Sequence, residues 1–446
     1  MKIIPMQQGL PALAPKEPQK GGDIRSRWGW VEAAVWTKRM LAALETGLKG
    51  SKWYRLIDKV WSPENLRCAL DKVVRNGGSA GVDNQSVRWV KKRQEEVVAG
   101  LEKELQESSY RPEAVKRVWI EKPGSKEKRP LGVPTVRDRI VQGALRHVLE
   151  PIFEREFASQ SYGFRPGRGC HSAIARVDEL LASGYCWVVD LDLKAYFDTI
   201  PHERLMERVG EKVSDGRVLE LIRSFLKAGV MESARGWQPT ESGTPQGAVL
   251  SPLLSNIYLN PLDWLMGEEG MEMVRYADDA VILCRSEKEA QEALEKVQQW
   301  VNEAGLTLHP QKTRIVDASQ PGGFDFLGYH FERGKKWPRK KSMARLKEAI
   351  RIRTRRNNGK SMKAICASLN RTLRGWYGYF KYSPRHVFSA VDSFVRGRLR
   401  SILRRRQRRK GLGNTIKCHQ CWPTTYFFAV GLLSLTEVHR AKCQSS

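Results

Sequence analysis

Two adjacent carboxylates, Asp278 and Asp279, lie between two short apolar runs, Met271–Arg275 and Ala280–Cys284. Runs of this length, rich in Val, Ile, Leu and Met and parted by a few polar residues, read as strand, tight turn, strand. The turn is Tyr276, Ala277, Asp278 and Asp279, so an antiparallel hairpin must carry two like charges at its tip. Such charges repel, and placing them together makes electrostatic sense mainly where cations will stand between them and a substrate. An exposed Asp-Asp turn is also ordinary loop chemistry, and the two readings part only on what else the chain contains.

A second acidic strand end lies upstream. Tyr185–Leu193 is almost continuously apolar, which argues for a strand buried on both faces. Asp190 and Asp192 near its end are two residues apart and so point to the same side. Unpaired charge on a buried strand is costly, and metal binding removes that cost. Asp198, after Tyr196-Phe197 and before Ile200-Pro201-His202, is read as the cap of the helix that starts there.

Earlier in the chain the signals are helical. Ser62–Asn76 opens on Ser62, Pro63 and Glu64 and is followed by Gly77-Gly78. A turn-rich stretch from Ser79 to Asp83 leads to a second amphipathic helix running to about Glu107. The period then changes to two across Val115, Arg117, Trp119 and Glu121, with a turn at Lys122–Ser125 and a returning strand at Arg129–Val133. This hairpin gathers Lys116, Lys122, Lys126, Lys128 and Arg129, which suits closure over a triphosphate as well as it suits a solvated loop. Val136–Phe157 is helical again, and Ser161–Gly169 is a compact loop with Arg165 and Arg168, whose glycines let backbone approach a ligand. The spacing of Val218, Leu219, Ile222, Phe225 and Leu226 predicts a helix packed on the acid-bearing sheet.

Charge is an independent constraint. The 446 residues hold 77 Lys plus Arg against 49 Asp plus Glu, a net +28 with pI near 9.9, and such a surface seeks polyanions. The excess is concentrated: Arg333–Lys410 carries 27 basic residues and only Glu348 and Asp392 as acids, net +25, which leaves +3 for the rest. Apolar residues from Trp337 through Trp376, Phe388 and Leu403 punctuate this zone, unlike a disordered tail. The pattern predicts helices with one buried and one cationic face, shaped to lie along phosphates.

No run of about 18 apolar residues is present, so no membrane span is expected. Met1–Lys20, broken by four prolines, reads as a loose leader. Eight dispersed cysteines suit reduced thiols in a cytosol. Cys418 and Cys421, with His439 and Cys443 beyond, have loose spacing for zinc and are followed at once by Trp422-Pro423, which favours packing over metal.

Six blocks occur in one order: Arg129–Pro134, Tyr162–Arg168, Asp192–Asp198, Gly243–Gly247, Tyr276–Asp279 and Phe326–Tyr329. Together they resemble a bacterial group II intron reverse transcriptase and maturase of the compact, endonuclease-free class, similar to group IIC. Leu369–Phe380 looks like that family's thumb, or X region, and Trp422-Pro423 through Thr436 resembles its short DNA-binding segment. The resemblance implies an α+β right-hand polymerase, with fingers and an antiparallel palm sheet, then an α-helical thumb. It divides the chain into a leader and helix at 1–55, fingers at 56–185, palm at 186–332, thumb at 333–395 and DNA-binding segment at 396–446.

It also implies roles. Asp192, Asp278 and Asp279 would be the catalytic acids holding two Mg²⁺ ions, with Mn²⁺ as a substitute, about 3.5–4 Å apart as in two-metal sites. Lys122 and Arg129 match residues that hold the incoming dNTP triphosphate, Phe197 the aromatic gate against a ribose 2′-hydroxyl, Gln246 a contact to the nascent pair, and Lys312 a lysine near the triphosphate. Arg165, Arg168, Arg371, Arg374, Trp376, Arg404 and Arg405 would contact nucleic acid. The implied partners are intron RNA, an RNA template with DNA primer, target DNA and dNTPs. The implied setting is the bacterial cytoplasm, at the nucleoid when acting on DNA. No endonuclease module is expected after Ser446. A splicing-only RNA-binding maturase, or a reverse transcriptase serving defence, a retron or CRISPR spacer acquisition, stands as the alternative.

Overall fold

The structure is a computed structural model that describes residues 24–47, 52–121, 128–409, 413 and 415–444. The loose leader, the turn at Lys122–Ser125 and Lys126 fall outside these residues. The strands in chain order are β1 (Val115–Glu121), β2 (Lys128–Val133), β3 (Trp187–Asp192), β4 (Val230–Glu232), β5 (Gly236–Gln238), β6 (Glu272–Tyr276), β7 (Asp279–Cys284), β8 (Arg314–Asp317), β9 (Phe324–Phe326), β10 (Tyr329–Glu332) and β11 (Lys335–Pro338). The chain forms two compact units, one reaching to Ile315 and one from Val316 onward.

The first unit begins helical. Helix Pro63–Asn76 has Pro63 in its first turn, where a missing N–H costs nothing, and closes on Gly77 at φ 67. It buries Leu66, Ala69, Leu70 and Val73. The helix expected to run to Glu107 is two helices, Val87–Lys92 and Gln94–Gln106, parted by Arg93 at φ −118, ψ 30. Helix Val136–Glu154, capped by Thr135 accepting from the Asp138 N–H at 3.1 Å, is buried nearly all round and runs through the core. The basic hairpin forms as expected, β1 against β2, with Ile120 opposite Arg129. It belongs to a four-stranded sheet, β2-β1-β4-β5, whose last two strands have three residues each and are too short to show a period.

The acid-bearing sheet has the order β6-β7-β3-β8, with β7 antiparallel to both its neighbours. Helices Cys170–Ala182 and Ser251–Glu268 pack on β6, and Glu287–Glu303 packs on β3 and β7. Helix Gly216–Lys227 forms with the expected apolar stripe, capped by Asp215, but its main partner is helix His202–Gly210, with Tyr110 against Phe225 at 6.1 Å. A stripe fixes which face is buried and leaves open which neighbour buries it. Asp198 is not the cap of helix His202–Gly210; Pro201 holds that position with no side-chain bond, and Asp198 lies inside the short helix Tyr196–Thr199.

The second unit holds the three-stranded sheet β11-β10-β9 and a set of helices: Lys340–Arg353, Met362–Phe380, Arg385–Arg406, Ile416–Cys421, Thr424–Ala429 and Leu435–Gln444. Their core joins Leu346, Ile350, Leu369, Leu373, Phe388, Leu399, Phe427 and Leu435. Asp392, one of two acids in the basic zone, is buried and accepts from the Leu435 and Thr436 N–H groups at 3.0 Å and from the Ser434 and Thr436 hydroxyls at 2.9 and 2.8 Å. It caps the last helix from the side. Among the described residues no helix is long and apolar enough to cross a membrane.

Candidate catalytic site

The register of the acid-bearing sheet does the first part of the assembly. Asp192, the last residue of β3, stands opposite Asp279, the first of β7, and Asp279 in turn faces Tyr276 across the β6–β7 turn. Two acids 87 positions apart in sequence are thereby brought to one end of one sheet. Asp190 lies one pleat back, opposite Val281 and 3.5 Å from the Arg314 guanidinium. Burial raises the pKa of Asp278, against a hydrogen bond from its own backbone N–H, and the charge of Asp192 pushes it up further against weaker pulls from Arg275 and Lys312. Keeping Asp278 ionised is therefore costly without a cation. Lys312 supplies one beside it, its Nζ 3.0 Å from each oxygen of Asp192.

The turn itself is locked from below. Ala277 sits at φ 58, a conformation rarely taken by side-chain-bearing residues, and Arg275 holds it. Arg275 is wholly buried; its guanidinium makes two bonds to the equally buried Asp263, one to the Asn256 Oδ1 at 3.1 Å, one to the Ser161 Oγ at 2.8 Å, and one to the Ala277 carbonyl at 2.9 Å. A fully paired fork of this kind fixes orientation more than it adds stability. Sequence reasoning missed this network. Its signal was present as an arginine inside an apolar strand and an aspartate inside an apolar helix, each an unexplained buried charge.

The loop at Ser161–Gly169 meets the turn directly. Tyr162 donates its N–H to the Arg275 carbonyl at 2.8 Å, and the Arg275 N–H bonds the Gln160 carbonyl at 2.9 Å, adding the loop to the outer edge of β6. A Cβ on Gly163 would lie 2.3 Å from the Ala277 nitrogen. The glycine admits the acidic turn, where a ligand had been expected. Arg165 and Arg168 also differ from the expectation that they reach nucleic acid. The Arg165 side chain is 3% exposed, paired with Glu154 at 2.7 Å and bonded to the Ala158 and Ser161 carbonyls, and Arg168 bonds the Ser159 and Ser161 carbonyls. Their donors are turned inward, where they satisfy backbone carbonyls in and beside the loop.

On the far side of the sheet, Phe197 is half-buried against Tyr196, with ring centroids 5.4 Å apart. The Gly243–Gly247 loop is fastened to it, the Thr244 N–H donating to the Phe197 carbonyl at 2.6 Å. That loop is joined to β2 through the Gly132 N–H and the Gln246 carbonyl, also at 2.6 Å. Phe197, Gln246 and the strand bearing exposed Arg129 are thus linked by backbone bonds, while Lys122 lies outside the described residues. In the second unit Arg371, Arg374 and Arg405 are exposed; Arg404 donates to the Cys418 thiol at 3.1 Å, and Trp376 packs into Phe380 and Phe388 at 5.1 and 6.2 Å. Cys443 is 3.7 Å from His439, Cys421 is exposed, and among the described residues no three His, Cys, Asp or Glu side chains form a metal cage. That holds for Asp192, Asp278 and Asp279 too, where Lys312 stands on Asp192, though their donors are all oxygen, the set that suits hard divalent cations.

The three acids fall inside a stretch that is similar to known proteins. Residues 120–331 match the reverse transcriptase (RNA-dependent DNA polymerase) family, and residues 343–422 match the group II intron, maturase-specific domain. Protein YkfC of Escherichia coli strain K12 is 33% identical over 332 residues, covering 66% of this chain and 86% of that protein. The group II intron-encoded protein LtrA of Lactococcus lactis subsp. cremoris is 34% identical over 302 residues, 53% of this chain and 49% of LtrA, so the match spans about half of that relative. Among solved structures, a partial Cas6-RT-Cas1–Cas2 complex is 26% identical, with TM-score 0.36, covering 56% of this chain and 41% of that one.

Proposed function

The chain belongs to the family of group II intron-encoded reverse transcriptases and maturases, and from that premise we propose that it copies intron RNA into DNA and assists that RNA's splicing. The observation that carries the reading is the convergence of Asp192 with Asp278 and Asp279 at one sheet end, inside the stretch that matches reverse transcriptases. The maturase-specific match in the basic second unit supports intron RNA as the template and disfavours a reverse transcriptase of another calling. Copying intron RNA into target DNA would serve retrohoming.

In the proposed reaction the primer 3′-hydroxyl gives its proton to water, its oxygen bonds the α-phosphorus of a dNTP, the α–β phosphoanhydride breaks, and pyrophosphate leaves. Two Mg²⁺ ions on Asp192, Asp278 and Asp279 would lower the cost of ionising the 3′-hydroxyl and neutralise charge on the leaving group. The rest falls to side chains. Arg129 and Lys122 would clasp the triphosphate, Phe197 would exclude a 2′-hydroxyl, and Gln246 would touch the nascent pair. Lys312 would leave Asp192 for the triphosphate once cations take its place. Residues 56–185 would serve as fingers, 186–332 as palm, 333–395 as thumb and 396–446 as a DNA-binding segment, with exposed Arg371, Arg374 and Arg405 available to phosphates.

Asp278→Asn separates the two activities. It should lower cDNA synthesis roughly a thousand-fold or more while leaving intron RNA binding and assisted splicing near wild type. Equal cDNA yields from the two proteins would overturn the polymerase assignment.

A further inference from the structure

Phe164 is the unexplained residue beside the acidic turn. It is held at φ 58, in the left-handed region that bulky side chains seldom occupy, yet the residue is 45% exposed. Backbone strain of this kind clusters at active sites and ligand clamps, and here nearly half of the residue stays open to solvent. The ring instead faces Tyr276, centroids 6.3 Å apart and planes tilted by 45°. The two cannot drift apart. Gly163 abuts the Ala277 backbone, its carbonyl accepts from the Asn256 Nδ2 at 2.8 Å, and Tyr162 is bonded to Arg275, so the loop and the turn move as one.

Position in the sheet says what such a pair could bind. The loop extends the β6 edge, so the order across the site is Phe164, Tyr276, Asp278 and Asp279, then Asp192, with Lys312 and Phe197 beyond. Of the residues proposed above for the incoming nucleotide, Phe197, Lys312, Gln246 and the strand bearing Arg129 lie on the β3 side. The flank at β6 is left to the other reactant. Resting on that reading of the site, we propose that Phe164 and Tyr276 form an aromatic shelf that seats the 3′-terminal nucleotide of the primer. Base and sugar present an apolar face to the rings, and stacking of this kind tolerates any sequence. The shelf holds the 3′-hydroxyl beside the acids, and the strain at Phe164 is what places its ring there.

Phe164→Gly removes the ring and relieves the backbone, so a loss of function in this variant cannot be blamed on added strain. Its KM for primer–template should rise about ten-fold, with the dNTP KM unchanged. Phe164→Tyr should behave as wild type, and a primer with an abasic 3′ terminus should bring wild type down to the glycine variant. A 2-aminopurine at the primer terminus reports stacking without catalysis: binding to wild type should quench it, and binding to Phe164→Gly should not. Equal quenching and equal primer KM in the two proteins would overturn the shelf while leaving DNA synthesis intact. Quenching that depends on Phe164 in a wild-type protein that makes no DNA would support the shelf and overturn the polymerase reading.

Discussion

At the scale of single residues, the acidic turn depends on a missing methyl group as well as on the Arg275 fork. Gly163→Ala would drive a methyl group into the Ala277 nitrogen, and the turn must shift by a sizeable fraction of an ångström to admit it. Misplacement of that order costs about a hundred-fold in rate, so DNA synthesis by Gly163→Ala should fall by that factor in single-turnover assays, with RNA binding retained. His147 gives a second residue-level expectation. Its Nδ1 meets the Asn65 Oδ1 at 2.7 Å, and Asn65 donates its own Nδ2 to the Lys59 and Ala144 carbonyls, so Nδ1 carries the proton and Nε2 accepts from Lys72 at 2.8 Å. Burial, then the Lys72 charge and Arg146, against a weaker pull from Glu32, lower its pKa to about 4. The unfolded chain protonates this residue first, so stability is full above about pH 6.5 and is lost as pH falls toward 4, by on the order of 3 kcal/mol. Urea midpoints across that range should fall for wild type and flatten for His147→Gln.

At the scale of elements, one aspartate holds the last helix. Asp392→Ala would leave the Leu435 and Thr436 N–H groups and two hydroxyls without their acceptor. A loss of about 2–3 kcal/mol is expected, with faster amide exchange confined to Leu435–Gln444. The sequence already marked Asp392 as an acid out of place in a basic zone, though the helix it caps lies some forty residues on and could not be read from local pattern. The same division holds elsewhere. Strands β3, β6 and β7 and the helix at Pro63–Asn76 were legible because period and end signals are local properties. The strands β4 and β5, the partner of helix Gly216–Lys227 and the inward turn of Arg165 were not, since each depends on what stands opposite in space. The acids at 192, 278 and 279 stood out in the sequence, while their support by Arg275 and Asp263 required the fold.

At the scale of the whole molecule, charge is concentrated in one zone. Residues 333–410 carry +25 of the net +28, and the chain outside them is close to neutral. Affinity for RNA should therefore be dominated by phosphate contacts from that zone, dropping by roughly a thousand-fold or more between 50 and 200 mM salt. Filter binding across a salt series checks this, and a flat response would argue that shape, rather than charge, selects the RNA.

The order β6-β7-β3-β8 has a temporal side as well. The strand that ends on Asp192 must wait, unpaired on both edges, until two later stretches of chain arrive to flank it. Contacts so distant in sequence are slow to close, whereas helices form from near neighbours. The acidic sheet end is thus expected to form after the helices that pack on it, and a chain stopped short of residue 279 could not bring Asp192 and Asp279 together.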